Sequence, residues 1–376
     1  MSAGKKDVVT GSTPGKKDAV TGPAAQKKMP EQELVTVADV KRTWQQIRAQ
    51  MEKVVIGKLD VIEFLWIAMM VSKHVYLEGV PGIAKTWTAS NFAKVMGCDF
   101  RRIQFTPDML PSDIVGTNIF NPKTGTFNLK KGPIFANVIL ADEVNRAPPK
   151  TQSAMLEAMA EGQVSIEGET HKLIQPFVVL ATANPVEQEG TYPLPEAQLD
   201  RFLIKLEVGY ASPEDELGII KLKNSPIEVK PDVVTSPQSI LALQQVCKRV
   251  FVHDDLLAYM RDIIVATRRD PRLVLGGSPR ASIAILEGAK SRAAIHGREY
   301  VIPDDIKVMI VPTIHHRLIL KPEAELEGLT HIRICEDIAN DLPCPVDMIS
   351  DEYEEEYEDE YEDEYEDEYE DDGDYD

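Results

Sequence analysis

The sequence predicts an α/β fold: a mostly parallel sheet flanked by helices, with hairpin insertions, followed by a small all-helical domain. Three observations lead to this prediction. Short apolar runs alternate with helical segments up to about Ala211, and strands that alternate with helices form parallel sheets covered on both faces. Beyond Ala211 only helical periodicity continues. A glycine-rich loop joins the first apolar run to a helix, a setting in which backbone N–H groups bind phosphate.

The negative charge of the chain is concentrated at its C-terminal end. The 376 residues carry a formal net charge of −21, but residues 351–376 contain 19 acidic side chains, which leaves 43 acidic against 41 basic residues before them. Residues 1–34 contain an imperfect eleven-residue repeat and few large apolar residues. Neither segment can form a core. We predict four segments: a disordered Lys/Gly/Thr-rich arm at 1–34, an α/β domain at 35–210, a helical domain at 211–346 and a disordered acidic tail at 347–376.

The acidic tail has two interpretations. Its tyrosines recur at every fourth position from Tyr353 to Tyr369. Because a dense run of like charges opposes folding, the tail could be a disordered, solubilising segment. Tyrosines spaced among acids also favour binding, so the tail could instead capture a basic partner or act as an autoinhibitor that mimics a polyanion.

Composition also limits the compartment and the class of ligand. No stretch reaches the roughly 18 apolar residues of a membrane span, and the N-terminus lacks the apolar region of a secretory signal. The four cysteines are too scattered for a disulfide framework, so we predict a cytoplasmic protein with reduced thiols. The overall acidity argues against general nucleic-acid affinity, although Arg101–Arg102 and Lys130–Lys131 are local basic spots.

Apolar periodicity gives the order of the elements. Two helices come first, one containing Val40, Trp44 and Met51 at helical spacing and one at 60–72. The predicted strands are at 74–77, 102–105, 137–141, 177–182 and 202–206. The predicted helices of the second domain are at 213–223, 238–250, 255–268, 280–297 and 303–319, with a last short helix within 321–346. Two insertions have the turn residues of hairpins, at 116–131 and 163–175.

Residues 79–86, with the sequence GVPGIAKT, lie between a predicted strand and a predicted helix. Backbone N–H groups in such a loop cradle phosphates. Gly79 and Gly82 allow the backbone to wrap closely, Lys85 would reach the β- and γ-phosphates, and the Thr86 hydroxyl would coordinate Mg²⁺. The generic loop has glycine where this chain has Ala84, so a chance glycine-rich turn is the alternative.

Two further strands end in polar residues. One is followed by Asp142 and Glu143, and the other leads to Asn184. Polar groups at the carboxyl ends of parallel strands face the ligand crevice. Asp142 would hold Mg²⁺ directly or through water, Glu143 would deprotonate the attacking water, and Asn184 would help to position it. Taken alone, the acid pair could be a helix N-cap and Asn184 a turn residue before Pro185.

With these motifs the chain resembles the MoxR group of AAA+ ATPases from about Val37 to Val346. The motifs that carry the resemblance are VVIG at 54–57, LEGVPGIAKT at 77–86, QFTPDMLPSDI at 104–114, LADEVNRAPPKTQ at 140–152, ATANP at 181–185, LDRF at 199–202 and GSPR at 277–280. Ala84 before the lysine is usual in this family, so the departure from the generic loop supports the resemblance.

The resemblance implies a role for each matching residue. Lys85 and Thr86 match the Walker A pair, Asp142 and Glu143 the Walker B pair, and Asn184 sensor 1. The implied metal ligands are Thr86 and Asp142. The implied catalytic residues are Lys85, Glu143, Asn184, Arg201 and Arg280. The implied nucleotide-binding residues are Val55, Ile56, Gly79, Val80, Pro81, Gly82, Ile83, Ala84, Lys85, Thr86 and Trp87.

The arginines extend the implied site beyond one chain. Arg201 looks like the arginine finger, which would reach the nucleotide of the neighbouring subunit, and Arg146 is a further plausible intersubunit contact. Arg280, at the head of a helix, resembles sensor 2. The alternatives are an ordinary ion pair with Asp200 for Arg201 and a surface position for Arg280.

The function that the resemblance implies is hydrolysis of ATP, with Mg²⁺, in a homo-oligomeric ring such as a hexamer that remodels or activates a partner protein. Such partners often carry a von Willebrand factor A domain, and the hairpins would contact the client. Two alternatives stay open. A nucleic-acid motor of the ring-helicase type would share the hairpin insertions, but the body of the chain is nearly neutral. An assembly scaffold stabilised by ATP would not need the catalytic residues that are present.

Overall fold

The computed structural model describes residues 35–80, 82–184, 190–226 and 229–345. The predicted arm at 1–34 lies outside the described residues, as does the chain from residue 346 onward, including the acidic tail. Pro81 of the phosphate loop also lies outside them. Within the described ranges, no helix combines the length and the apolar composition needed to cross a membrane.

Two helices precede the central sheet, α1 (Val37–Glu52) and α2 (Leu59–Met70). The backbone N–H of Thr36 donates to the Asp39 carboxylate at 2.9 Å, which satisfies a donor at the start of α1. Most of α2 is buried, because it packs against helices of the second half of the chain as well as against the sheet.

Five parallel strands form the central sheet. The strands of the first half of the chain are β1 (Val75–Glu78), β2 (Phe100–Gln104), β3 (Gly116–Asn121), β4 (Thr126–Lys131), β5 (Val138–Asp142), β6 (Gln163–Ile166), β7 (Glu169–Lys172), β8 (Val178–Ala183) and β9 (Ile204–Glu207). The sheet has the order β2-β5-β8-β1-β9, while β3 pairs with β4 and β6 with β7 as the predicted hairpins. This order places the carboxyl ends of β5, β8 and β1 side by side.

Both faces of the sheet are covered, as predicted. The helices around it in the first half are α3 (Lys85–Val95), α4 (Pro111–Val115), α5 (Pro149–Glu161) and α6 (Glu196–Leu199). Alternate side chains of β5 enter two different apolar clusters. Val138 and Leu140 pack with side chains of α1, α2 and α3, whereas Ile139 and Ala141 pack with side chains of α5. Period-two alternation therefore divides one strand between two cores.

The second half of the chain is mainly helical. Its helices are α7 (Pro213–Asn224), α8 (Pro237–Arg249), α9 (Asp254–Arg269), α10 (Pro279–Ile295), α11 (Pro303–Ile314), α12 (Pro322–Leu326) and α13 (His331–Asp341). Ser212, Ser236 and Ser278 each stand before a proline at the first helical position and accept a backbone hydrogen bond through their side chains. Serine caps followed by proline define these three helix starts.

The prediction that this half is all-helical is wrong at one place. β10 (Leu273–Leu275) pairs antiparallel with β11 (Ile319–Leu320). The predicted helix at 303–319 ends at Ile314, because residues 315–317 tighten into a 3₁₀ turn and Leu318 is extended. The paired strands are too short for their periodicity to be distinguished from that of a helix. The last segment also contains two helices, α12 and α13, instead of one.

Candidate nucleotide-binding site

Four strands of the sheet bring candidate site residues to the same edge. β1 leads into Gly79, β2 ends at Gln104, β5 ends at Asp142 and β8 leads into Asn184. The strands are parallel, so these ends form the carboxyl edge, which faces the ligand in open α/β sheets. Because β8 lies between β1 and β5, Asn184 comes between the phosphate loop and Asp142. The structure therefore brings the predicted Walker A, Walker B and sensor 1 residues to one edge.

Two backbone features shape the phosphate loop at 79–86. A Cβ on Gly79 would lie 2.4 Å from the carbonyl oxygen of Val208, so only glycine fits where the loop passes the end of β9. Ala84 has a φ of +62°, a left-handed conformation that L side chains rarely adopt. Glycine in the generic loop meets the same requirement without strain. α3 begins at Lys85, so its unpaired N–H groups lie at the loop.

The Lys85 ammonium folds back onto its own loop. It donates to the carbonyl oxygen of Gly79 and, at 3.4 Å, to that of Ala183. Burial lowers the pKa of Lys85, while the charges of Asp142 and Glu143 act in the opposite direction. The lysine thus lies within electrostatic range of both carboxylates, and phosphate oxygens could replace the two carbonyls as acceptors.

Asp142 accepts hydrogen bonds from two neighbouring strands. Arg102 of β2 donates to Oδ2 through Nε at 3.0 Å and through a terminal nitrogen at 2.6 Å. The Thr182 hydroxyl of β8 donates to Oδ1 at 2.6 Å. Both carboxylate oxygens of Asp142 therefore accept hydrogen bonds. The Arg102 side chain, which donates to Oδ2, is still 47% exposed.

Glu143 is also held in place. Its φ is +57°, and its backbone N–H donates to the Thr182 hydroxyl oxygen at 2.9 Å. Its Oε2 accepts a hydrogen bond from Nε2 of Gln104 at 2.6 Å and lies 3.2 Å from Nε of Arg146. In this structure Arg146 therefore contacts Glu143 of its own chain.

Three of these residues are not among those that the sequence predicts for the site. Arg102 is predicted only as a basic spot, and Gln104 and Thr182 occur only within the quoted motifs. The available signal was period-two alternation, which puts Arg102 and Gln104 on one face at the end of a strand. That signal becomes specific only when β2 is known to lie beside β5, as the register of Gln104 opposite Asp142 shows.

The oxygen donors at this edge fit a magnesium ion. Mg²⁺ prefers carboxylate, hydroxyl and water oxygens, and Thr86 and Asp142 offer such donors at the start of α3 and the end of β5. Direct coordination through Oδ2 of Asp142 would displace Arg102, which donates to that oxygen twice, whereas Oδ1 accepts only the Thr182 hydroxyl and has a further lone pair for a cation. Coordination through water would leave those bonds in place.

Of the two implied nucleotide-binding residues in the 54–57 segment, Val55 and Ile56, the second lies beside α7. Val55 is buried, and Ile56 lies 3.3 Å from where a Cβ would stand on Gly218. Of the remaining loop residues, Val80 and Ile83 are half-buried, while Gly82 is exposed and has a φ of +86°.

Trp87 joins three parts of this region. It belongs to α3, and its indole N–H donates to the carbonyl oxygen of Val54 at 2.8 Å. The ammonium of Lys223, on α7, lies 4.4 Å from the centre of the indole ring. A nucleotide at the phosphate loop would therefore bind next to a tryptophan that contacts both the 54–57 segment and α7.

Arg201 and Arg280 lie at the opposite side of the sheet, near the amino ends of its strands. Both line a cleft of about 610 Å³ whose wall includes Lys73 and His74, just before β1 begins. One terminal nitrogen of Arg201 donates to the carbonyl oxygen of Leu156 at 2.8 Å. At about 3.3 Å per strand residue, the length of β1 alone separates this cleft from the phosphate loop by roughly 13 Å. The structure therefore separates both arginines from the phosphate loop of the same chain.

Comparisons with known proteins agree with this arrangement. Residues 74–204 match the family model described as ATPase family associated with various cellular activities (AAA), and residues 265–338 match the AAA lid domain. The chain is 47% identical over 296 residues to the uncharacterised protein YeaC of Bacillus subtilis, which covers 78% of this chain and 92% of that protein. It is 44% identical over 285 residues to the chaperone MoxR1 of Mycobacterium tuberculosis, and the match covers 73% of this chain and 75% of that protein.

A solved structure has the same fold. The crystal structure of a candidate ATPase from Cytophaga hutchinsonii superimposes with a TM-score of 0.78 and 42% sequence identity. The match covers 82% of this chain and 96% of that one.

Proposed function

This chain belongs to the MoxR family of AAA+ ATPases, and from that premise we propose that it hydrolyses ATP at sites shared between neighbouring subunits of a ring and thereby remodels a partner protein. One observation carries the proposal. Lys85, Asp142 and Glu143 meet at the carboxyl edge of the sheet, while Arg201 and Arg280 line a cleft at its amino edge. From that cleft, Arg201 and Arg280 would reach the transferred phosphate of a second subunit and not that of their own chain.

Within one site, the loop and its helix bind the nucleotide. The N–H groups at the start of α3 and the Lys85 ammonium hold the β- and γ-phosphates. Thr86 and Asp142 hold Mg²⁺, which neutralises phosphate charge when it is bound. Glu143 orients and deprotonates the attacking water, and Asn184, at the neighbouring strand end, helps to position that water.

The neighbouring subunit completes the site. Arg201 contacts the γ-phosphate across the interface as the arginine finger. Arg280 senses the same phosphate from the adjoining helical domain, since it lines the same cleft. A closed ring gives every site one such neighbour, and we propose a hexamer on the family pattern.

We propose that the hairpin formed by β3 and β4 contacts a client protein. Phe120 and Phe127 pack against each other, with ring centroids 5.3 Å apart, yet they are 52% and 68% exposed. Exposed aromatic pairs are typical of binding surfaces. The relative named as a chaperone supports remodelling as the purpose of hydrolysis. A partner with a von Willebrand factor A domain and a cytoplasmic location are proposals that rest on the family resemblance and on the composition.

Steady-state ATP hydrolysis by the full chain, with Glu143→Gln in parallel, tests the proposal. The wild type should turn over, and Glu143→Gln should bind ATP with little change in affinity but lose most of its turnover. Glu323→Gln, at an exposed position on α12, is the matched control and should keep wild-type activity. Tight ATP binding without turnover at protein concentrations that form rings would contradict hydrolysis and favour a scaffold.

A further inference from the structure

A second arginine of the helical half reaches the segment that carries Arg201. Asp200, the residue before Arg201, accepts hydrogen bonds from two arginines. Nε of Arg317 lies 2.7 Å from its Oδ1, and a terminal nitrogen of Arg280 lies 3.2 Å from its Oδ2. Asp200 is therefore an acidic residue in the cleft that contains Arg201. Both of the arginines that pair with it belong to the helical half of the chain.

The two arginines differ in burial. The Arg280 side chain is 70% exposed and makes one bond to Asp200, so solvent can readily replace that bond. The Arg317 side chain is only 5% exposed. Because a buried guanidinium is costly to leave unpaired, its position depends on the acceptors around it.

The acceptors of Arg317 lie on both sides of Arg201 in the sequence. Besides the Asp200 carboxylate, the guanidinium donates to the backbone carbonyl of Asp200 at 3.3 Å and to that of Phe202 at 2.7 Å. It also donates to Leu203, at 3.4 Å, and to Thr313 in α11. One planar guanidinium thus joins the end of α11 to the residues just before and just after Arg201.

The Arg201 side chain itself is not held by the helical half in the same way. It is exposed, and one of its terminal nitrogens donates to the carbonyl oxygen of Leu156 in α5. The helical half therefore acts on the Arg201 backbone, which sets the point from which the exposed side chain extends.

We propose that Arg317 is a positioning residue that fixes the Asp200–Phe202 segment to the helical half of the chain, so that the Arg201 guanidinium is presented to the neighbouring subunit and moves with that half. The inference rests on the proposed function, in which Arg201 acts across the interface. It assigns to Arg317 no contact with nucleotide. Movement of the helical half is then transmitted through Arg317 to the arginine finger.

Arg317→Lys tests this inference, because lysine keeps the charge but cannot hold several carbonyls and a carboxylate in one plane. We expect kcat to fall by about 10- to 100-fold, as a misplacement of roughly 1 Å does, with the KM for ATP within about twofold of wild type. The matched control is Arg298→Lys. Arg298 also pairs with a buried carboxylate, that of Asp305, and both of these residues belong to the helical half.

A double-mutant cycle separates positioning from mere stabilisation. In an Arg201→Ala background, Arg317→Lys should cause no further loss of kcat, because the finger that it positions is absent. A further loss of the same size in that background would overturn the inference, and so would an unchanged kcat for Arg317→Lys in a chain that otherwise needs Arg201. Should Arg201→Ala alone leave kcat unchanged, the interface role of Arg201 would fail instead.

A second variant guards against loss of the fold. If Arg317→Lys lowers the melting temperature more than Arg298→Lys does, Asp200→Asn can replace it. Asparagine keeps the size of the side chain and one acceptor oxygen, but it removes the charge that holds Arg317. The same fall in kcat and the same absence of effect without Arg201 are expected. Additive losses in this cycle would contradict the positioning role.

Discussion

Gln104 and Glu143 are joined by a hydrogen bond in which Nε2 of the amide lies 2.6 Å from Oε2 of the carboxylate. The two residues are 39 positions apart and meet only because β2 lies beside β5. The bond fixes the orientation of the carboxylate that we propose as the general base. A base must point at the water it deprotonates, so Gln104 is expected to affect catalysis without contacting ATP.

Gln104→Ala should lower kcat by about tenfold and leave the KM for ATP nearly unchanged, because the base keeps its chemistry and loses a support for its orientation. Steady-state hydrolysis over a range of ATP concentrations measures both constants. Gln238→Ala, at an exposed position on α8, is the control for loss of an amide. A rise in kcat would instead mean that Gln104 holds Glu143 in an unproductive orientation.

Arg102→Ala should lower the Mg²⁺ concentration needed for half-maximal hydrolysis. Arg102 neutralises Asp142 and competes with a cation for the same carboxylate. The arginine is 47% exposed, so the pair is worth roughly 1 kcal/mol or less and the shift should be about two- to fivefold. The measurement is a Mg²⁺ titration of hydrolysis at fixed ATP.

Arg101→Ala is the matched control for that titration. Arg101 stands on the same strand but, by period-two alternation, on the opposite face. It should leave the Mg²⁺ dependence unchanged. A higher Mg²⁺ requirement for Arg102→Ala would show that Arg102 supports the metal site instead of competing with the metal.

ATP should change the fluorescence of Trp87. The chain has three tryptophans, of which Trp44 and Trp66 are 5% and 0% exposed, while Trp87 is 39% exposed and follows Thr86 of the phosphate loop. Bound nucleotide would alter the surroundings of the ring and its contact with Lys223. A titration with ATP should therefore change the emission of the wild type and of Trp44→Phe, but not that of Trp87→Phe. An equal change in Trp87→Phe would place the signal elsewhere.

His74 should make the fold sensitive to acid. Its Nδ1 accepts from the N–H of Val179 at 3.0 Å, and its Nε2 lies 3.0 Å from the carbonyl oxygen of Met159, so the ring is neutral with its proton on Nε2. Burial lowers the pKa of His74 to about 4 from its ordinary value of 6.5. Below pH 6.5 the unfolded chain therefore binds a proton that the folded chain does not, and stability falls until the pH reaches about 4.

His74→Asn tests this pH dependence. The contribution of one such histidine is roughly 3 kcal/mol. The variant should be less stable at pH 7, because asparagine cannot make both hydrogen bonds, but it should lose less stability on acidification. Denaturant unfolding at pH 7 and at mildly acidic pH measures the difference. The wild-type pH dependence in His74→Asn would contradict the assignment.

The sequence predicted those parts of the site that lie within one strand–loop–helix unit. The phosphate loop at 79–86 and the pair Asp142–Glu143 each follow an apolar strand directly, so local order was enough to place them. The bond between Arg102 and Asp142 was not predictable in the same way, because it depends on the strand order β2-β5-β8-β1-β9. The contact of Arg317 with Asp200 joins residues 117 positions apart and depends on how the helical half packs.

A mixture of two inactive variants should regain activity if Arg201 acts across the interface. Glu143→Gln keeps an intact Arg201 but lacks the base, and Arg201→Ala keeps an intact base but lacks the finger. Loss of an arginine finger costs roughly 10³-fold or more in turnover, so each variant alone should be nearly inactive. In rings formed from an equal mixture, about one interface in four pairs the intact base of one subunit with the intact Arg201 of its neighbour.

The mixed rings should therefore show about a quarter of wild-type turnover if interfaces act independently. Subunits must be mixed under conditions that dissociate rings and then reassembled; mixing preformed rings without exchange should give no activity and serves as the control. Arg280→Ala in place of Arg201→Ala tests whether the second arginine of the same cleft also acts across the interface. The roughly 13 Å between that cleft and the phosphate loop of the same chain argues that it does. Activity of Arg201→Ala alone, or no recovery in reassembled rings, would contradict a shared site.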